Sequence, residues 1–208
     1  PLSAIITSGT ASINWLARAE PAVHEAQLLN ERIIKDASRA SEIVISMRDL
    51  LKRGDQVRAP LDARSLIDDI FSIMRSEAAA HGSDLTVSFG PDLPLVAADR
   101  VQLQQVIINL VLNALEASLT RPAGERPIHI AARRGDGGAL IISVEDRGEG
   151  IAADAAARIF DPFFTTKPAG MGLGLSICRT IVQAHNGEIV AVPLEKGTMM
   201  RLTLPASG

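Results

Sequence analysis

The 208-residue sequence has a single cysteine, Cys178, and no apolar run that approaches the roughly 20 residues of a membrane-spanning helix. One cysteine excludes an intrachain disulfide and a cysteine cluster for zinc, and it suits a reducing cytosol. The sequence also lacks a signal peptide or targeting stretch ahead of its first predicted helix. We therefore expect a cytoplasmic fragment without membrane contact of its own, whose parent protein could carry an anchor elsewhere.

The sequence has little net charge, −3 at pH 7, and so offers no broad basic surface that would neutralise a nucleic-acid backbone. Nucleic acid is not an expected partner. Hydrophobic residues make up 47% and charged residues 22%, which is the composition of an ordinary globular protein. The length allows one full globular core and a smaller module.

The first part of the sequence has the apolar spacing of a helical hairpin. Residues 1–18 and 22–52 carry apolar side chains at three- and four-residue intervals, and Glu20-Pro21 interrupts the pattern. At 1.5 Å per residue the second helix would be about 45 Å long. Two such helices bury their seam poorly as a monomer, so we expect a homodimer that forms a four-helix bundle.

The second part alternates between helical and strand patterns after a boundary at Arg53-Gly54-Asp55 and a short connection at Ala59-Pro60. We predict domains at 1–54 and 55–208, with an α+β sandwich in the second. The predicted helices are 66–80, 100–119 and 173–185, and the predicted strands are 85–89, 128–132, 139–144, 189–192 and 198–204.

The helix at 100–119 is apolar except for one polar row, formed by Gln105, Asn109, Asn113 and Glu116. Spacings of four, four and three residues place these side chains on one face. A buried carboxamide without a partner costs about 1–3 kcal/mol, so something polar must face this row. Nearby backbone groups could satisfy it, which is the ordinary interpretation of an isolated Asn-x-x-x-Asn.

A strand leads directly into Asp146-Arg147-Gly148-Glu149-Gly150. The carboxylate of Asp146 would project at the edge of the sheet, while the glycines allow backbone conformations and close approaches that other residues do not. Such a pocket could accept a hydrogen bond from an exocyclic amine such as that of adenine. A plain tight turn is the alternative interpretation.

Glycines recur in Gly170-Met171-Gly172-Leu173-Gly174 at the start of a predicted helix. Free backbone N–H groups and the positive end of the helix dipole attract phosphate oxygens at such a place. The spacing alone is weak evidence. The sequence contains neither the P-loop motif nor the catalytic loop of eukaryotic protein kinases, and the glycine loop does not follow the first strand of a dinucleotide-binding fold.

A phenylalanine-rich loop, residues 159–168, lies between the two glycine loops. We interpret Phe160 and Phe163 as aromatic anchors that fix the loop to the core. Thr165, Thr166 and Lys167 are better suited to a lid that closes over phosphates.

In their order along the chain, the four motifs resemble the N, G1, F and G2 boxes of two-component sensor histidine kinases. The resemblance covers residues 57–204 as a GHKL-type ATP-binding domain and residues 1–54 as the hairpin for dimerisation and histidine phosphotransfer. It implies a dimeric four-helix bundle followed by a Bergerat-type sandwich with a mixed, mostly antiparallel sheet. The implied activity is transfer of the γ-phosphoryl group of Mg-ATP to a histidine, then to an aspartate on a response-regulator receiver domain.

The resemblance also implies roles for individual residues. Asn113 would bind Mg2+, Asn109 would be a second contact to metal or phosphate, and Asp146 would hold the adenine amino group. An asparagine at 109, where the related hydrolytic ATPases have a glutamate, cannot serve as the base for hydrolysis and favours phosphotransfer. Asn109, Asn113 and Lys167 are the predicted catalytic residues. The other predicted nucleotide contacts are Glu116, Gly148, Gly150, Thr165, Thr166, Gly170, Met171, Gly172, Leu173 and Gly174.

Two departures from the family pattern stand out. Many histidine kinases have a phosphate-binding lysine where this sequence has Glu116, and we expect Lys167 to supply that charge instead. The phosphorylated histidine of the family would precede Pro1, so we expect this fragment not to phosphorylate itself. His24-Glu25 imitates the family's dipeptide but falls at the start of the second helix. His81, His129 and His185 are interpreted as structural residues.

Two other functions fit the same motifs. One is an ATPase of the same superfamily that uses nucleotide to clamp a dimer, against which Asn109 and the hairpin argue. The other is a non-catalytic dimerisation scaffold in which ATP acts only as a conformational ligand.

Overall fold

The computed structural model describes residues 2–34, 37, 58–167 and 171–207. The chain divides into two compact units, Pro1–Arg53 and Gly54–Gly208, one residue before the predicted domain boundary. The functional roles of the two domains stay predictions. None of the helices within the described ranges is long and apolar enough to cross a membrane.

The first unit contains the predicted pair of helices, α1 (Leu2–Leu16) and α2 (residues 23–34). Within the seam of this hairpin, Ser12 is buried and its Oγ lies 3.1 Å from Oδ1 of Asn30 and 3.4 Å from the carbonyl oxygen of Ala26. Ala37 is also helical, whereas the rest of the predicted helix as far as Lys52 lies outside the described residues.

Within the described part of the hairpin, several large apolar side chains are exposed. Large aliphatic side chains are exposed on both helices: Ile6, Ile13, Leu16, Val23, Leu28 and Ile34. Ile6 and Ile34 are 70% and 67% exposed, far more than a core residue tolerates. These six side chains therefore leave apolar surface that the described residues do not cover.

The second unit is an α+β sandwich, as predicted. Its helices are α3 (Ala63–Ala80), α4 (Arg100–Ala117), α5 (Ala153–Ala156) and α6 (Gly174–Ala184). Its strands are β1 (Ala59–Leu61), β2 (Asp84–Phe89), β3 (Val96–Ala98), β4 (Pro127–Arg134), β5 (Leu140–Asp146), β6 (Glu188–Pro193) and β7 (Thr198–Leu204).

Five strands form the main sheet in the order β2-β4-β5-β7-β6, with β2 parallel to β4 and the other pairs antiparallel. Alternate residues of each strand point to one face, so Ile130 of β4, Val144 of β5 and Met200 of β7 stand side by side and are buried. The helices α3, α4 and α6 contact the strands or one another on this face. The predicted mixed, mostly antiparallel sheet is therefore confirmed.

The helix α4 lies at the centre of the helical layer and contacts both α3 and α6. Seven of its side chains are buried and apolar: Leu103, Val106, Ile107, Leu110, Val111, Ala114 and Leu115. Asp99 caps its N-terminus by accepting hydrogen bonds from the N–H groups of Val101 and Gln102. The rigid position of α4 fixes every polar side chain on its remaining face.

A two-stranded antiparallel sheet of β1 and β3 was not predicted. Ala59 and Pro60 were interpreted as a connection, but they pair with Ala98 and Ala97. Each strand has three residues, which is too short for a two-residue periodicity to stand out in the sequence.

Candidate functional site

The polar row on α4 is present in the structure as predicted. Asn109 and Asn113 are half-buried, and Glu116 is exposed at the C-terminal end of the row. Gln105 lies one turn before Asn109 and is also half-buried. The row therefore runs from the middle of α4 to its C-terminal end, and its carboxamides are partly shielded from solvent.

The carboxamide N–H groups of the two asparagines donate hydrogen bonds to other side chains. Asn109 Nδ2 donates a hydrogen bond to Sγ of Cys178 at 3.3 Å, and Asn113 Nδ2 donates to Oδ1 of Asn109 at 3.3 Å. Burial raises the pKa of Cys178 to about 12, so its thiol is protonated at neutral pH. The interpretation in which neighbouring backbone groups satisfy this row is thus wrong for the contacts of Asn109 and Asn113 that the structure describes.

Lys167 reaches across from the phenylalanine-rich loop to α4. Its Nζ donates a hydrogen bond to Oδ1 of Asn113 at 3.0 Å and forms an ion pair with Oε2 of Glu116. Its backbone N–H donates to Oγ1 of Thr165 at 3.1 Å, which fixes the turn from which the side chain extends. Thr166 is exposed beside this turn. The structure thus brings together four predicted site residues from two distant segments.

The N-terminus of α6 faces the same polar row. A Cβ at Gly174 would lie 2.8 Å from Nδ2 of Asn109, so glycine is required for the helix start to approach this carboxamide. Among the residues that the structure describes, no side chain caps α6, whereas Asp62 and Asp99 cap α3 and α4. The first backbone N–H groups of α6 are therefore suited to an anion.

The residues just before α6 pack against the phenylalanine-rich loop. Gly172 has a φ of 67°, and a Cβ there would lie 2.3 Å from the carbonyl oxygen of Phe164. The carbonyl of Gly172 accepts a hydrogen bond from the N–H of Phe163 at 2.9 Å. Met171 is half-buried against the core and Leu173 is buried, while Gly170 lies outside the described residues.

The predicted role of Phe163 as a core anchor is wrong. Its side chain is 75% exposed because its backbone adopts a φ of 67°, which turns the ring outwards. Phe160 and Phe164 pack against the core instead, and the guanidinium of Arg158 lies 4.6 Å from the ring centre of Phe164. The sequence pattern Phe-Phe could not distinguish which ring of the pair points inwards.

Asp146 is the last residue of β5 and is buried, with only 5% of its surface exposed. Its Oδ1 accepts hydrogen bonds from the N–H of Gly148 at 2.8 Å and from that of Thr198 at 3.3 Å. Burial raises the pKa of Asp146, with a smaller contribution from Glu145, against the two hydrogen bonds and the charge of Arg147. Its Oδ2 receives no hydrogen bond from the described residues, which leaves an acceptor for a ligand.

Three glycines lie near Asp146, and one of them, Gly197, was not predicted. A Cβ at Gly148 would lie 2.5 Å from the carbonyl oxygen of Ala117, so this glycine allows the loop to touch the end of α4. Gly197 has a φ of 87°, and a Cβ there would lie 2.0 Å from the carbonyl oxygen of Asp146. Gly150 has a φ of 79°, and a Cβ there would lie 3.4 Å from the carbonyl oxygen of Gly197, an ordinary contact distance.

The two glycine loops lie along the same helix. Gly174 contacts Asn109 and Gly148 contacts Ala117, eight residues further along α4 and so about 12 Å along its axis. Between these contacts lie Asn113 and Glu116. The site therefore has a buried carboxylate at one end, an uncapped helix start at the other and carboxamides with a lysine between them. Among the described residues, no group of three or more His, Cys, Asp or Glu side chains could hold a metal ion.

The family described as "Histidine kinase-, DNA gyrase B-, and HSP90-like ATPase" matches residues 98–208. Among curated proteins, the chain is 37% identical to the sensor histidine kinase TmoS of Ectopseudomonas mendocina over 209 residues. It is 34% identical to the sensor histidine kinase ZraS of Escherichia coli strain K12 over 208 residues. Both alignments cover all of this chain, but only 22% and 43% of those proteins.

Solved structures give the same result. The catalytic domain of the histidine kinase ThkA superposes with a TM-score of 0.64 and 31% identity, over 72% of this chain and 95% of that domain. Full-length ShkA in complex with AMPPNP matches with a TM-score of 0.76 and 25% identity, over 100% of this chain and 44% of ShkA. ThkA in complex with the response regulator TrrA matches with a TM-score of 0.74 and 25% identity, over 99% of this chain and 58% of that one.

Proposed function

The chain belongs to the histidine kinase-, DNA gyrase B- and HSP90-like ATPase family and contains the ATP-binding catalytic domain of a two-component sensor histidine kinase. We propose that this domain binds Mg-ATP for phosphotransfer to histidine. The buried carboxylate of Asp146 with its open Oδ2 is the observation that supports nucleotide binding most directly. A carboxylate rarely lies in so dry a place unless it has a partner.

The residues present suit an adenine nucleotide. Oδ2 of Asp146 is an acceptor for the 6-amino group, and Gly148 leaves a gap beside Ala117 that a Cβ would fill. The uncapped start of α6 suits the phosphates, since free N–H groups and the helix dipole both favour negative charge. The ShkA structure with AMPPNP supports the same ligand class by similarity.

A magnesium ion suits Oδ1 of Asn113. Mg2+ takes oxygen ligands and keeps several waters, and its remaining ligands come from substrate phosphates. The ammonium of Lys167 lies 3.0 Å from Oδ1, and this contact with a positive group supports the proposal. In the bound state, Mg2+ would neutralise charge on the phosphates. Asn109 orients Asn113 through the hydrogen bond between their carboxamides.

Replacing Asn113 by alanine is expected to lower ATP affinity about tenfold in the presence of Mg2+ and to leave the metal-free affinity nearly unchanged. The lost interaction is a metal ligand and not a contact to the nucleotide itself. Calorimetric titration with ATP, once with Mg2+ and once with EDTA, measures both affinities. The control is Gln104→Ala, which removes a carboxamide from another side of the same helix. If the folded wild-type chain binds no ATP in either buffer, the nucleotide-binding proposal is wrong.

The geometry favours phosphotransfer over the clamp-type ATPase. Asn109 occupies the place where a hydrolytic base would act, yet its carboxamide donates to Cys178 and accepts from Asn113, and an amide cannot take a proton from water. Positioning and charge neutralisation by Asn113 and Lys167 would then dominate catalysis. The acceptor would be a histidine other than the four in this sequence, because His24 lies at the start of the second helix and not midway along the first. His81, His129 and His185 each make a hydrogen bond within the second unit, in keeping with the structural roles predicted for them.

In the full-length protein, γ-labelled ATP is expected to give a phosphohistidine that is labile in acid and stable in base. This chain alone should retain no label on His24. Phosphoamino-acid analysis after incubation with Mg-ATP measures both outcomes, and a purified response-regulator receiver domain should then take up the label on an aspartate. Release of free phosphate without protein-bound label would favour the ATPase, and nucleotide binding without either reaction would favour the scaffold.

We further propose that the whole protein forms a homodimer through the hairpin of α1 and α2. This part of the protein would lie in the cytoplasm and act on a response regulator. The exposed aliphatic side chains of α1 and α2 support a second copy as the covering surface. The complex of ThkA with TrrA supports the regulator as partner by similarity. The supply of ATP and the single reduced cysteine suit the cytoplasm.

A further inference from the structure

Lys167 lies where the proposed metal should lie. Its ammonium contacts Oδ1 of Asn113, the oxygen to which we assign Mg2+, and it contacts the carboxylate of Glu116 at the same time. Asn113 and Glu116 are three residues apart on α4 and so present their oxygens on one face. One ammonium group is therefore held by the oxygen that we assign to the metal and by a carboxylate one turn further along α4.

The carboxamide of Asn113 is oriented so that its nitrogen faces Asn109 and its oxygen faces Lys167. Its Nδ2 donates to Oδ1 of Asn109, and Nδ2 of Asn109 donates in turn to the protonated thiol of Cys178. Gly174 leaves room for this arrangement, since a Cβ there would strike Asn109. The buried thiol thus fixes both carboxamides, and Oδ1 of Asn113 is left as the open acceptor that Lys167 occupies.

The charges of the contact argue for a temporary role. An ammonium bound to Glu116 is neutralised and cannot serve the phosphates, while Oδ1 of Asn113 is unavailable to a metal. Both unfavourable features disappear if a divalent cation replaces the ammonium at Asn113 and the lysine moves to the phosphates, because the long lysine side chain has several accessible rotamers.

We propose that Glu116 is a positioning residue, an inference that rests on the proposed function. It holds the ammonium of Lys167 at the place of Mg2+, and the ammonium and the metal exchange there. Without nucleotide, the ion pair holds the ammonium on Oδ1 of Asn113. On entry of the metal nucleotide, Lys167 would leave Oδ1 of Asn113 for the phosphates, and this oxygen would be free to hold the metal. Opening of the ion pair is then a step that precedes tight binding.

The contact itself can be tested without nucleotide. In 15N-edited NMR spectra of the nucleotide-free chain, the side-chain amide resonances of Asn113 are expected to shift in Glu116→Gln and in Lys167→Met. They should stay in place in Glu125→Gln, which removes one negative charge from an exposed loop. Unchanged Asn113 resonances in both site variants would overturn the proposal, whatever the nucleotide measurements show.

The exchange is tested by the rate of Mg-ATP association in stopped flow. Glu116→Gln is expected to raise this rate by about 1.5- to 5-fold, the range that an exposed ion pair supports. Glu125→Gln should not change it. In a Lys167→Met background, Glu116→Gln should lose this acceleration, because no ammonium is left to release. Equal acceleration with and without Lys167 would show simple charge repulsion and would overturn the exchange.

The two proposals fail in different ways. Absence of ATP binding in the wild-type chain, with the NMR shifts as expected, would contradict the proposed function and the exchange but leave the ion pair at Asn113 in place. Normal Mg-ATP binding with equal rates in all variants would contradict only the exchange.

Discussion

Asp146→Asn is expected to lower the affinity for ATP by about 10- to 150-fold, the effect of losing one hydrogen bond to a charged group in a buried site. The asparagine oxygen can keep the hydrogen bonds from Gly148 and Thr198 that Oδ1 now accepts. Its Nδ2 then replaces the open Oδ2, and a donor faces the donor amino group of adenine. Calorimetric titration of the folded variant with Mg-ATP measures the loss.

The same substitution should change base preference. Guanine carries an acceptor where adenine carries its amino group, so the wild-type carboxylate should reject GTP and the asparagine of the variant should not. The ratio of ATP to GTP affinity is therefore expected to fall towards one. Asp136→Asn, in the exposed turn between β4 and β5, is the matched control and should leave both affinities unchanged. Undiminished ATP affinity in Asp146→Asn would contradict the adenine assignment.

The raised pKa of Asp146 adds a pH dependence. Only the ionised carboxylate is a good acceptor on both oxygens, so ATP affinity should fall as the pH falls through the pKa of Asp146. Because burial raises that pKa, the fall should begin at a higher pH than for an ordinary aspartate. Asp146→Asn should lack this component, and an identical pH profile in the two proteins would show that another group is responsible.

Gly197→Ala is expected to lower the free energy of unfolding by about 2 to 5 kcal/mol. About 1–2 kcal/mol comes from forcing alanine into a left-handed backbone, and about 1–3 kcal/mol comes from the clash of its Cβ with the carbonyl of Asp146. That Cβ would lie 2.0 Å from backbone oxygen, which cannot rotate away as a side chain can. Urea unfolding of the wild-type and variant chains measures the difference.

Gly124→Ala is the control for this prediction. Gly124 has almost the same φ, 84° against 87°, but nothing lies within 4 Å of a Cβ there. It should lose only the contribution of the left-handed backbone, about 1–2 kcal/mol. Equal losses at the two positions would mean that the β7 turn shifts without cost and that Gly197 does not support Asp146. The predicted clash should also weaken ATP binding in Gly197→Ala alone.

The sequence predicted the site best where the positions of polar side chains follow from the spacing of residues within one helix or strand. The polar row of α4 and the exit of β5 into Asp146 were both predicted, because residue type and a spacing of three or four residues determine which side chains share a helix face. The four-residue helix α5 was not predicted. The strands β1 and β3 were also missed, and the outward turn of Phe163 was misjudged. In each, a tertiary contact or a single unusual φ outweighs the local pattern.

The contacts of Lys167 show the same limit. Its charge was predicted to compensate for Glu116, but the sequence places the two 51 residues apart and cannot tell that they touch. The sequence likewise gave Gly197 no distinguishing motif, since a glycine before a strand is typical of any turn. Its closeness to Asp146 arises only when β7 pairs with β5.

By itself, the sequence determined the α+β class, the three long helices and five main-sheet strands of the second unit and the residue types that can bind a nucleotide, because periodicity and glycine placement are local properties. The tertiary structure decided which of those residues meet: Asn109 with Cys178, Asn113 with Lys167, and Asp146 with Gly197. These contacts depend on how α6 and β7 pack beside α4 and β5, and packing is a property of the whole core that no short segment of sequence contains.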